Sequence, residues 1–273
     1  MSQLSFGDLF GAVDCEPDVS ISVAANVPAE VKLPRAMITS EEARKQFIRV
    51  FSHTGRHLRR WDVFCDFITL AASELDMATI RTPENIERSR KICDRYEADD
   101  LDNLKTLFCL LVAALEGKFQ DFLGSVFMEL ELGSGDMGQY FTPYELQSMM
   151  AKMLMHDVTE TIKTQGWVTL SEPCCGAAGM VIAYAECLLE AGLNPSEQLL
   201  VHCIDIDPVA ADMAFIQLGL LGIPAEVVTG NTLTMQFNRV RYTPVYYINE
   251  WQARIDLRQK FEAMKAAISR LVA

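Results

Sequence analysis

Between residues 167 and 229, short β-rich runs at 167–171, 199–205 and 225–229 alternate with helical stretches at 178–191 and 208–221. Strands joined by helices of that length form right-handed βαβ units around a parallel sheet. The pattern predicts an α/β, Rossmann-like core. In such sheets ligands sit in the crevice outside the carboxyl ends of the strands.

What precedes this core reads differently. Residues 1–38 hold Pro17, Pro28 and Pro34 without periodicity, which predicts an extended arm or linker. Thr39-Ser40-Glu41-Glu42 is a capping box that opens a helix to about Phe51. After Gly55 a second helix carries Leu58, Trp61, Phe64, Ile68, Ala72 and Leu75 at helical spacing. Thr82-Pro83 opens a third, with threonine as cap and proline in the first turn, and 98–116 and 118–131 read as two more. The chain therefore divides into an arm (1–38), an all-helical domain (39–132) and a cofactor-binding domain (133–273). Gly133-Ser134-Gly135 marks the boundary, and Thr142-Pro143-Tyr144-Glu145 is a capped start for a helix to about Met155.

The chemistry concentrates at three strand ends. The first strand finishes in Glu172 and passes through Pro173-Cys174-Cys175-Gly176-Ala177-Ala178-Gly179 into a helix. Small residues there let a ligand lie against the backbone beneath helix amides. The second strand ends in Asp205, 33 positions after Glu172, where a carboxylate can bind the ribose hydroxyls of an adenosine-containing cofactor. Asp207-Pro208 is the cap and first turn of the next helix. The third strand ends at Gly230-Asn231, whose amide can read an adenine edge.

Four stretches in this order, Gly138-Gln139-Tyr140-Phe141-Thr142-Pro143, Glu172-Pro173-Cys174-Cys175-Gly176, Asp205-Ile206-Asp207-Pro208 and Gly230-Asn231-Thr232-Leu233, resemble the motifs of adenine-N6 DNA methyltransferases. The resemblance is to the modification subunit of type I restriction systems and to phage and plasmid relatives, and it covers roughly Asp121 to Leu233. It implies S-adenosylmethionine as cofactor, with Phe141, Thr142 and Pro143 at the methionine end. It further implies Glu172 and Gly176 in the turn below the cofactor, Asp205 on the ribose and Asn231 facing the adenine. Two positions depart from the pattern: Glu172 stands where the family has Asp, and Ala178 replaces a second glycine, so its methyl is expected to narrow the backbone approach.

The acceptor side departs further. These enzymes hold the flipped adenine with an Asn/Asp-Pro-Pro-aromatic motif, whose carboxamide and carbonyl oxygens accept the N6 hydrogens. The sequence contains no Pro-Pro pair. The nearest candidate is Thr243-Pro244-Val245-Tyr246, which assigns Thr243, Pro244 and Tyr246 to the acceptor pocket; Asn249-Glu250-Trp251 is another. After about residue 250 there is room for one helix, Gln252 to Val272. A truncated sheet is therefore expected, either completed by a partner chain or lacking the half that carries the substrate pocket. Three functions follow: an adenine-N6 DNA methyltransferase with a degenerate acceptor site, a catalytically inactive relative that binds DNA or a restriction-system partner as an antirestriction or regulatory protein, or a purely structural use of the fold without cofactor.

Charge bears on the partners. The chain carries a net −13, against general coating of nucleic acid, yet Arg44, Lys45, Arg49, Arg56, Arg59 and Arg60 lie in a stretch without an acid. Residues 238–273 hold seven basic and three acidic residues. DNA is the expected partner, through these basic segments or as plain solvated faces, together with a protein subunit or a second copy. No metal is expected: adjacent Cys174 and Cys175 point apart in such a turn, and His53 and His57 lack a third ligand. The absence of an 18-residue apolar run excludes a spanning helix, and eight cysteines without a C-x-x-C fit reduced thiols in a cytoplasmic protein.

Overall fold

The computed structural model describes residues 38–79, 82–132 and 141–272. The proposed arm, the Gly133-Ser134-Gly135 boundary and Gly138-Gln139-Tyr140 lie outside the described residues. Five helices come first: α1 (Ser40–His53), α2 (Arg60–Thr79), α3 (Pro83–Cys93), α4 (Ala98–Gly117) and α5 (Phe122–Glu129). Then follow α6 (Tyr144–Met153), α7 (Val158–Gln165), β1 (Val168–Glu172), α8 (Gly179–Glu190), α9 (Pro195–Gln198), β2 (Leu199–Asp205) and α10 (Pro208–Leu220). The chain continues through β3 (Ala225–Asn231), β4 (Gln236–Tyr242), α11 (Pro244–Ile248) and α12 (Trp251–Val272).

Local chemistry sets most boundaries. Thr39 Oγ1 accepts from the Glu42 amide at 3.2 Å, and Thr82 Oγ1 from that of Asn85 at 3.3 Å. Asp207 accepts from Val209 N at 3.0 Å with Pro208 in the first turn, the structural task expected of it. The expected cap at Thr142 is corrected: Pro143 occupies the N-cap of α6 and no side chain caps that helix.

The sheet runs β1-β2-β3-β4. The first three strands are parallel, as the βαβ pattern requires, and β4 returns antiparallel to β3 with a register shift at Thr229/Gly230. One face packs on α10, against β2 and β3. Helix α10 is buried nearly all round, from Ala210 to Leu218, because it lies between the sheet and α2. Its Asp212 carboxylate takes both Arg239 and Arg241 of β4, and Arg241 also reaches Asp76 of α2 at 3.8 Å. Burial of Arg241 lowers its affinity for a proton, and the two carboxylates oppose that shift. The opposite sheet face is covered at one end, where Leu200, Tyr246 and Trp251 form a small apolar cluster. A single larger core joins the helical segment to the sheet, running from Phe47, Phe67 and Leu111 to Val201 and Val227.

Candidate functional site

The turn after β1 is built by the residues that the strand-end argument singled out. Cys175 N donates to Ile204 O at 2.9 Å, which pins the turn to β2. Asp205 accepts from Gly176 N at 2.8 Å through one oxygen and from Asp207 N at 2.9 Å through the other. Thr232 donates to Pro173 O at 2.6 Å, tying the same turn to the end of β3.

Gly176 has φ +53°, and a Cβ there would meet the Phe141 ring at 2.8 Å, so this position needs glycine twice over. Phe141 in turn packs edge-on against Phe127 of α5, with ring centroids 5.1 Å apart. Ala178 is also left-handed, at φ +66°, but it is fully buried in the core and is not among the residues that line the cavity. The expectation that its methyl narrows the approach to the ligand is corrected: it meets the core, and its cost is backbone strain of about 1–2 kcal/mol.

These elements enclose a cavity of about 770 Å³, a typical size for a small-molecule site. Phe141, Thr142, Glu172, Gly176 and Asp205 line it together. Pro143 lies beside a neighbouring cavity that shares Phe141 and Thr142. Asn231 is outside the lining; its Oδ1 accepts from Leu233 N and Thr234 N at 2.9 and 3.1 Å and shapes the β3–β4 turn. Burial pushes the carboxyls of Glu172 and Asp205 above their ordinary pKa. For Glu172 the Cys174 amide opposes the shift, and for Asp205 the amides of Asp207 and Gly176 do.

Sequence reasoning missed Gln147. It is buried on α6, lines the cavity, and its Oε1 has no hydrogen-bond partner. A Cβ on Gly179 would strike that amide at 2.3 Å, so glycine at the start of α8 makes room for it. Tyr144 holds α6 against α8 by donating to Glu186 at 2.8 Å. The signal for Gln147 was slight: a polar residue one turn beyond Pro143, on the same helix face as Tyr144.

Thr243, Pro244 and Tyr246 are not brought to this cavity. Because β4 is antiparallel, it delivers them to the amino end of β3, about 20 Å from its carboxyl end. Thr243 is 0% exposed. Its Oγ1 donates to Ile223 O at 2.8 Å and accepts from Ala225 N at 2.9 Å. Tyr246 is buried and donates to Gln252 at 2.8 Å. The acceptor assignment is therefore corrected: these residues clamp the sheet. Asn249 and Trp251 likewise donate to Ser196 O at that end.

Of the basic segment, Arg44 pairs with Glu129 at 2.5 Å and Lys45 with Glu41 at 2.8 Å. Arg60 donates to Phe51 O at 2.9 Å and to Gly55 O at 2.6 Å. Arg49, Arg56 and Arg59 remain exposed. His53 and His57 each meet a backbone carbonyl, of Arg49 and Arg95. Cys174 and Cys175 both line the cavity; Cys174 is exposed and Cys175 is buried, its thiol pushed well above the ordinary range by contact with Cys203 and by burial. Among the described residues no helix is long and apolar enough to cross a membrane.

Comparison with known proteins adds the family. No curated protein matches the sequence. A crystal structure from Listeria monocytogenes, described as a candidate class I S-adenosylmethionine-dependent methyltransferase, is similar at 14% identity and a TM-score of 0.43. The similarity covers 71% of this chain and 55% of that one, so the chain spans little more than half of that protein's length. The N-6 DNA Methylase family model matches residues 124–260, half of the chain and all of the cavity-lining strands and turns. The chain belongs to the N-6 DNA methylase family.

Proposed function

We propose that the cavity takes S-adenosylmethionine and that the chain is an adenine-N6 DNA methyltransferase-like protein with a degenerate acceptor site. The observation that carries this reading is the unpaired Oε1 of buried Gln147 on the wall of a cavity also lined by Glu172 and Asp205. Gln147, Glu172 and Asp205, the last two with carboxyls that burial makes reluctant to ionise, favour a cationic ligand rich in donors. S-adenosylmethionine brings an ammonium, two ribose hydroxyls and a methyl on a cationic sulfur. Asp205 is fixed by two backbone amides and keeps lone pairs for hydroxyl donors. Glu172 and Gln147 supply the remaining acceptors, and the first turn of α8 presents amides to a carboxylate.

DNA is the proposed target, with Arg49, Arg56 and Arg59 as its exposed phosphate contacts. The second reading, a catalytically inactive relative that binds DNA or a restriction-system partner as an antirestriction or regulatory protein, is favoured by one placement. The best acceptor candidates, Thr243 and Tyr246, are buried at the wrong end of the sheet.

Calorimetry with S-adenosylmethionine and S-adenosylhomocysteine, followed by methyl transfer to unmethylated DNA, tests both readings. Saturable binding is expected, weakened by about 1–3 kcal/mol in Asp205→Ala, the scale of a hydrogen bond to a charged group. No saturable binding at millimolar ligand would refute the cofactor assignment. Transfer by the chain alone or with a candidate subunit, abolished in Asp205→Ala, selects the enzyme; binding without transfer in either case selects the inactive relative.

A further inference from the structure

Helix α12 begins as part of the body and ends apart from it. Trp251 is fully buried and meets Trp167 edge-on at 5.6 Å, and Arg254 lies 3.9 Å over the Trp251 ring. Arg258 stacks on Trp167 at 4.6 Å and donates to Gln165 of α7. From Gln259 to Arg270 every side chain is exposed.

The exposed length is patterned. Leu257, Phe261, Met264 and Ile268 are each more than half exposed, and their 4-3-4 spacing puts them within an arc of about 60° on a helix of 3.6 residues per turn. So narrow a stripe is the seam of a helix pair. A helix lying on a membrane surface shows a broader apolar face. Phe261 and Ile268 take the a positions of a heptad and Leu257 and Met264 the d positions. The flanking e and g positions are then Arg258, Lys260, Lys265 and Ala267, with no acid among them. The two acidic residues of the helix, Asp256 and Glu262, fall outside the flanks, and Asp256 already accepts from Gln252 at 2.8 Å.

Those flanks select the occupant. A second copy in parallel sets Lys260 against Lys265 on both sides of the seam. An antiparallel copy sets Arg258 against Lys265. Like charges at these positions oppose pairing, and opposite charges specify it. We infer that the Leu257–Ile268 face of α12 docks a helix of another protein that carries an apolar a/d seam flanked by glutamate or aspartate.

The probe is a fluorescent heptad peptide with leucine at a and d and glutamate at e and g, set against the same peptide with lysine at e and g. Anisotropy is read with the full chain at low and high salt. Salt-sensitive binding of the glutamate peptide alone is expected, weakened tenfold or more by Phe261→Lys with Met264→Lys. These side chains are exposed, so an unchanged thermal melt confirms that the variant is folded. In Lys260→Glu with Lys265→Glu the preference should invert to the lysine peptide. The inference is overturned if both peptides bind equally, if neither binds, or if the double-lysine variant binds as the wild type does. Dimerisation through α12, or α12-dependent partition onto phosphatidylserine vesicles without peptide binding, overturns it as well.

Discussion

Replacing Gln217 by leucine tests how the helical segment holds the cofactor turn. Gln217 is 0% exposed on α10. Its Nε2 donates to Asp121 at 2.9 Å and to Ala177 O at 2.7 Å, while its Oε1 accepts from Leu123 N at 2.9 Å. One amide thus joins the start of α5, the buried Asp121 and the turn below the cavity. Leucine preserves volume but strands the Ala177 carbonyl and the Leu123 amide, each at about 1–3 kcal/mol. A loss of about 3–5 kcal/mol is expected, a large share of a total stability of about 5–15 kcal/mol. The loss should also depend on pH. Burial raises the Asp121 pKa above its ordinary 3.8, and the Gln217 amide is the largest influence opposing that rise. A carboxyl raised in the folded state holds its proton more tightly there than in the unfolded chain. Stability therefore falls as pH climbs from the ordinary carboxylate value through the raised one. Without Gln217 the pKa rises further and the window widens, so the Gln217→Leu deficit should be larger at neutral than at mildly acidic pH. Urea titrations followed by far-UV circular dichroism measure this as a shift in midpoint at constant slope. A deficit below about 1 kcal/mol at neutral pH, or one independent of pH, would refute the reasoning.

Gly176→Ala should weaken S-adenosylmethionine binding more than it lowers the melting temperature. The new Cβ meets Phe141 at 2.8 Å in a left-handed backbone whose strain costs about 1–2 kcal/mol; calorimetry beside a thermal melt separates the two effects. Thr243→Val should destabilise the chain by about 2–4 kcal/mol through its two lost bonds while leaving cofactor affinity unchanged, and a selective loss of cofactor or DNA binding would restore the acceptor assignment. Glutamate at Arg49, Arg56 and Arg59 together should cut the salt dependence of DNA binding by about three phosphate contacts, and an unchanged slope would remove the segment from the interface.

The parts of the fold legible in the sequence are those whose causes are local. β1, β2 and β3 stand out because apolar runs end in turn residues, and α1, α3 and α10 because Thr39, Thr82 and Asp207 sit directly before them. Strand β4 was not legible. Gln236-Phe-Asn-Arg-Val-Arg-Tyr242 reads as polar and exposed, and Arg239 and buried Arg241 share the carboxylate of Asp212, a partner 27 and 29 positions away, which no local pattern announces. Gln147 and Gln217 are hidden for a similar reason. A lone glutamine in a helix looks like a solvated residue, and Gln217 gains its meaning from Asp121, 96 positions distant. At Ala178 the residue type was read correctly and its surroundings were not: it is fully buried within the core and is not part of the cavity lining.

The missed strand also explains why the acceptor site was misplaced. A parallel crossover returns the chain to the amino end of the sheet before each new strand, so every parallel strand ends at the cavity. The tight β3–β4 turn reverses that logic. Whatever follows β4 emerges at the amino end, which is where Thr243, Asn249 and Trp251 all make their backbone contacts. Groups that hold an adenine must instead stand at the carboxyl edge, beside Glu172 and Asp205. Among the described residues β1 pairs only with β2, and its Thr169 and Ser171 are exposed. Buried parallel sheets do not normally leave a strand in that state. The open edge of β1 is thus the position from which a further strand would end at the cavity, and methyl transfer should be assayed with candidate subunits as well as with the chain alone. Transfer that appears only with a second chain would locate the acceptor in that partner. Efficient transfer without one would require acceptor groups within this chain that the antiparallel course of β4 does not provide.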